Sequence, residues 1–224
     1  MRSSMSYNVC MNIPFYSNDE TNTHCFQACV QMTLGYFEPK NILTMGEVVQ
    51  LSGAVDGMST WPSRTLVELD NRGYDVTMIE GFDGRDFVER GAEYLRDAFG
   101  GDTAEWQIKN SNIEKERSDY RELYDRGISI QKRIPTQDDI RRYLDEGYVV
   151  ITQINSKRLV NQQGYVGHSV VVLGIGGENV LLHNPGLPPV PNQRVDSETF
   201  AAAWAYPNDG SKVLIAIKRR NDSG

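Results

Sequence analysis

Gly167-His168-Ser169-Val170-Val171-Val172-Leu173-Gly174 is the stretch on which the fold turns. An apolar, largely β-branched run closed by glycines reads as a buried strand. His168 stands at its head, where a polar ring has no packing reason to be. Upstream, Tyr148-Val149-Val150-Ile151-Thr152-Gln153-Ile154 reads as another buried strand. A helix capped by Thr136-Gln137-Asp138-Asp139 and ended by Gly147 precedes it. Downstream, Val180 to His183 and Val213 to Lys218 read as two more strands. Gly176-Gly177 and the Pro-rich Pro185 to Pro191 read as turns.

The first half is organised differently. After the extended Asn12-Ile13-Pro14-Phe15-Tyr16-Ser17 and a polar loop from Asn18 to His24, apolar residues recur at helical spacing from Cys25 to Phe37. With few polar side chains to cover a solvent face, this helix is predicted to be buried. Thr44-Met45-Gly46-Glu47 has the form of a capping box for a short helix to about Leu51. Another helix is predicted from Pro62 to Asn71, closed by Gly73 and followed by an alternating strand, Tyr74 to Ile79. Residues 83–127 carry long charged helical patterns broken at Gly100-Gly101, and are predicted to form two helices inserted into the fold and covering the core. The whole is an α+β chain, a single catalytic domain over 1–224, with N-terminal helices packed on a C-terminal antiparallel sheet.

Composition narrows the function. With 23 basic and 30 acidic residues among 224, the formal charge is −7, and the acidic groups are scattered. Such a surface repels nucleic acid, and Lys218-Arg219-Arg220 reads as a solvated end. No apolar segment is long enough for a membrane span and the first 20 residues lack a signal-peptide core, so the expectation is a cytoplasmic protein without a membrane partner. Cys10, Cys25 and Cys29 are too few for a disulfide framework and read as free thiols, with no metal or organic cofactor implied.

One cysteine is placed for chemistry. A thiol attacks a carbonyl as thiolate, which requires a helix N-terminus or a neighbouring imidazole to lower its pKa. Cys25 opens the apolar helix; Cys29 lies one turn inside it. A base must be a histidine held by a third group, and His168 is the candidate. Asn184 ends the next strand before Pro185. An antiparallel return across Gly176-Gly177 would bring its amide oxygen to the His168 ring, the role of the third member in a Cys-His-Asn triad. An early cysteine with histidine and asparagine far downstream is the papain-type order.

His24-Cys25-Phe26-Gln27-Ala28-Cys29, the Gly167 to Gly174 strand and His183-Asn184-Pro185 resemble motifs of the double-glycine-leader, or bacteriocin-processing, cysteine peptidases and their stand-alone relatives. The resemblance spans roughly residues 12–80 and 134–218, with Phe200 to Trp204 included. It implies a papain-like fold, a peptide or protein substrate and thiol-mediated cleavage of a peptide or amide bond through a thioester. This chain departs from the family in having Phe26 where glycine usually follows the nucleophile and Asn184 where aspartate is usual. The family's oxyanion glutamine is also replaced: Asn18 is the nearest amide, with Asn22 as the alternative. The same thiol could instead serve acyl transfer or transamidation, or the core could be a catalytically silent binding module with 83–127 as its partner surface.

Overall fold

The computed structural model describes residues 11–205 and 207–220; Cys10 lies outside them. Its centre is a seven-stranded sheet crossed by one buried helix. That helix, α1 (Cys25–Phe37), is buried from Phe26 to Gly35. Ala28, Cys29, Val30 and Met32 are fully enclosed, and each large apolar side chain there is worth about 1.5–3 kcal/mol relative to exposure. Gly35 lets the N-terminal segment cross α1 closely, since a Cβ there would lie 3.1 Å from the Tyr16 ring and 3.3 Å from Pro14.

The capping box forms as read, with Thr44 and Glu47 bonding reciprocally at the start of α2 (Met45–Leu51). There follow α3 (Ser63–Asn71) and β1 (Tyr74–Glu80). The region predicted as two helices is four: α4 (Gly84–Arg90), α5 (Ala92–Phe99), α6 (Gly101–Asn110) and α7 (Ile113–Asp125). Gly91, at φ 55°, and Gly100, at φ 67°, each turn the chain where L side chains rarely go. Asn112 caps α7 by accepting the Lys115 N–H.

These helices cover α3 and β1 through an aromatic cluster. Trp61 stacks on Phe87 at 5.3 Å, and Phe82 meets Tyr94 edge-on at 5.1 Å. Gly84 admits the approach: a Cβ there would fall 2.5 Å from the Tyr124 hydroxyl and 2.7 Å from the Tyr120 ring.

The chain then forms β2 (Ser129–Lys132), α8 (Gln137–Asp145), β3 (Val149–Asn155), the single turn α9 (Ser156–Leu159), β4 (Gly167–Gly176), β5 (Asn179–Asn184), β6 (Val190–Asp196), α10 (Ser197–Trp204) and β7 (Val213–Arg219). The sheet order is β2-β1-β7-β3-β4-β5-β6. Every pairing is antiparallel except β1 with β2, which the helices α4 to α7 connect as a crossover. So β1 and β2, which flank the helical region, stand at one side of the sheet, and the stretch read as a turn at Pro185 to Pro191 already enters β6 at Val190.

The basic C-terminal run is not merely solvated. Lys218 and Arg219 belong to β7; Arg219 pairs with Glu38 at 2.9 Å, Arg220 pairs with Asp70, and Lys218 donates to the Glu146 carbonyl at 2.7 Å. The segment from Lys218 to Arg220 is thereby fastened to α3 and to the ends of α1 and α8.

Candidate active site

The loop from Asn18 to His24 delivers the start of α1, and Asn18 organises it. Its Oδ1 accepts the N–H groups of Asp19 and His24, both at 2.9 Å, and its Nδ2 donates to Asn22 Oδ1 at 3.0 Å. Asn22 adopts the left-handed conformation at φ 58°, which asparagine tolerates better than most residues. Asn18 also donates its own N–H to the Pro185 carbonyl at 2.8 Å, tying the loop to the segment after β5. Both oxyanion candidates therefore lie in one hydrogen-bonded loop, and these bonds engage one of the two Nδ2 protons of Asn18.

The N-terminus of α1 is bare. His24 at the N-cap makes no side-chain capping bond, and no acidic residue occupies the first turn. Its side chain turns instead to Asp19, at 2.6 Å. The first amides of α1, with their partial positive charge, are left without a side-chain cap.

Cys25 and His168 meet because α1 packs against β4. His168 is 8% exposed, pairs across the sheet with Ile154, and places its Nε2 2.8 Å from Asn184 Oδ1. The antiparallel return of β5 along β4 produces this contact, with Val171 opposite His183. With Nε2 engaged by the amide oxygen, Nδ1 is the ring nitrogen left for the thiol.

Burial alone would raise the Cys25 thiol, but hydrogen bonding and charge from His168, with bonds from Ser169, hold it below its ordinary value. Burial alone would likewise depress His168; the bond and charge of Cys25, and Asn184, raise it instead. Each group thus shifts the other toward its charged form. Cys29 behaves oppositely: full burial, and then the nearby Cys25 charge, push it well up. Two cysteines four residues apart are thus shifted in opposite directions by their surroundings.

Three neighbours carried no individual assignment in the sequence reading. Ser169, part of the apolar strand, bonds the Cys25 thiol. Gly186 donates its N–H to Asn184 Oδ1 at 3.1 Å, and Gln193 accepts from Asn184 Nδ2 at 2.9 Å. Gln193 lies on β6, whose polar VPNQRVD sequence offers no strand signal.

His183, adjacent to Asn184, points the other way and serves the frame. It is 2% exposed, bonds the Ile13 carbonyl through Nε2 at 3.0 Å, and accepts the Asn192 N–H on Nδ1 at 3.1 Å. That pattern requires the neutral ring, and burial, against the pull of Ile13, lowers its pKa below 6.5. The unfolded chain then binds this proton first, so the stabilisation is present above pH 6.5 and is lost as pH falls. Urea midpoints measured from pH 7 to 5 are expected to fall more steeply in the wild type than in His183→Gln, which should start lower at pH 7.

A buried helix bearing a thiol at its N-terminus, set against a sheet bearing a histidine and its amide partner, is the architecture of the papain-like cysteine peptidases. The chain belongs to the Peptidase_C39 like family, whose model matches residues 10–211. Among solved structures, the peptidase domain of Streptococcus ComA, a bi-functional ABC transporter involved in a quorum sensing pathway, superposes with a TM-score of 0.51. It is 12% identical, with 93% of this chain and all of that one covered. Uncharacterized proteins of Mycobacterium tuberculosis and Mycobacterium bovis are 32% identical over 81 residues, 31% of this chain. The match spans 35% of those relatives' length.

Proposed function

We propose that the protein is a cysteine peptidase or amidohydrolase acting on a peptide or protein substrate. The Cys25 thiolate attacks the scissile carbonyl carbon. The developing oxyanion is met by the Cys25 N–H at the bare end of α1, with the second Nδ2 proton of Asn18 as the side-chain donor. His168 then gives its proton to the leaving amine as the C–N bond breaks, leaving a thioester on Cys25. Water, deprotonated by His168, attacks the thioester; the acid departs and the thiol is restored. Asn184 keeps the imidazole in the tautomer that exposes Nδ1.

The observation that carries this reading is the chain of contacts from Cys25 through His168 to Asn184, closed by the 2.8 Å bond. Its test is the pH dependence of alkylation. Iodoacetamide should modify Cys25 at pH 6–7, at a rate that falls to that of an ordinary thiol in His168→Ala, while Cys29 stays unmodified in the folded protein. A wild-type rate that rises only with a midpoint near 8.5 would contradict the reading.

A further inference from the structure

We propose that Gln193 is a positioning residue: it holds the Asn184 amide toward His168 in the orientation that the Gly186 N–H sets. The inference rests on the triad reading above and adds a fourth side chain to it.

An asparagine amide is nearly symmetric in shape but not in chemistry. Turned one way, Oδ1 accepts Nε2–H of the imidazole. Turned the other, Nδ2 would donate to Nε2, which must then be bare, and the ring proton would sit on Nδ1. That nitrogen has to accept the thiol proton, so the flipped amide disables the base. A third member of this kind therefore needs an orienting partner of its own.

The structure supplies two. The Gly186 N–H lies 3.1 Å from Asn184 Oδ1, a backbone donor that would oppose an NH₂ group in that place. On the other end, Nδ2 donates to Gln193 Oε1 at 2.9 Å. Gly186 can approach because it lacks a side chain; a Cβ would stand 3.1 Å from Asn184 Oδ1 and 3.2 Å from the His168 ring. Gln193 can approach because β6 carries an irregularity. Its register against β5 shifts between Leu182 and Asn184, and Asn192 beside it takes φ 52°. Bulges commonly re-aim a side chain in this way.

The same arrangement can hold a carboxylate at 184. A glutamine opposite it can present either Oε1 or Nε2, so it can serve an asparagine by accepting and an aspartate by donating. A glutamate at 193 could serve only the asparagine.

The test is an NMR titration of the His168 ring in ¹⁵N-histidine-labelled protein, which reads His168 whether or not a substrate is known. The groups acting on that ring are Cys25 from α1 and Asn184 from β5. Gln193→Leu should lower the His168 midpoint by about half a pH unit or more, because the bond favouring the charged ring is loosened. Gln193→Glu should raise it, by tightening the hold on Nδ2 and adding a negative charge. Asn184→Asp should keep alkylation of Cys25 within about threefold of wild type, whereas Asn184→Asp combined with Gln193→Glu should lose far more than the two singles together. A midpoint unmoved, or moved the same way by the leucine and the glutamate, would overturn the proposal. So would a double variant that is merely additive. If Gln193→Leu fails to fold, the glutamate single and double variants still decide. An unreactive wild-type Cys25 would defeat the peptidase reading separately, with the titration of His168 still judging Gln193.

Discussion

Cys25→Ala is expected to lower kcat/KM for peptide cleavage by at least about 10³-fold and to leave the thermal unfolding midpoint within a degree or two. The thiol is half-buried at the first position of α1, so alanine, a better helix former, costs little in stability. What disappears is the thiol on which the proposed mechanism forms the thioester. Cys29→Ala is the contrasting control: Cys29 is wholly enclosed, so its removal opens a small void and lowers stability while sparing the chemistry. His168→Ala should fall nearly as far as Cys25→Ala. The double variant should fall no further than the worse single, because thiol and imidazole act as one unit. Release of new amino termini from a panel of peptides, followed by mass spectrometry, measures all four. Near-additive losses, or substantial cleavage by Cys25→Ala, would show that the thioester route is wrong.

The parts of this site that could be read from sequence are those under strong local constraint. Cys25 announces itself by opening an apolar helix after a polar loop, and His168 by standing at the head of an apolar strand. Asn184 is marked by the proline that ends its strand, and the short return at Gly176-Gly177 brings it to His168 at 2.8 Å. The unread strands β2 and β6 are the two edges of the sheet. An edge strand has one neighbour and one open side, so nothing forces an apolar pattern on it, and polar residues there guard against pairing with other chains. Gln193 was invisible for the same reason: its role depends on a β6 irregularity that no period in the sequence reveals. The four helices of 83–127 were merged into two because their periodicities run on, while the breaks rest on single residues such as Gly91.

Asn18 illustrates a different limit. Its residue type suggests a donor to an oxyanion, and the structure bonds it to His24, the residue before Cys25. The structure shows that most of its bonding capacity is spent within the loop, on Asp19, Asn22 and His24, and on Pro185 across the cleft edge. It links the segment that leads into Cys25 to the segment that follows Asn184. A substitution there disturbs the placement of both, so an Asn18 variant cannot by itself separate charge stabilisation from loop geometry.

The largest stability effect should come from Glu80, far from the thiol. This carboxyl ends β1, is 6% exposed, and accepts the Tyr120 hydroxyl at 2.9 Å. Burial, only partly offset by that bond, pushes its pKa up from 4.5 to about 7. No cation pairs with it among the described residues. The unfolded chain ionises near pH 4.5 while the folded one holds its proton to about pH 7, so the folded state binds more protons in between. Stability contributed at this site is therefore full below pH 4.5 and declines as pH rises to about 7, by roughly 3 kcal/mol in all. Glu80→Gln keeps an acceptor for Tyr120 and abolishes the titration. It should raise the urea midpoint above wild type at pH 8 and lose that advantage as pH approaches 4, where its extra N–H groups lack partners. Tyr120→Phe should act oppositely, steepening the decline by removing the one hydroxyl that favours the charged form. Because Tyr120 joins the aromatic cluster with Trp61, Phe82 and Phe87, the loss at high pH should reach the helices α4 to α7 and be seen in tryptophan fluorescence. Wild-type and Glu80→Gln midpoints that run parallel from pH 4 to 8 would mean that Glu80 is charged in the folded protein throughout, and that the site is wetter than its burial implies.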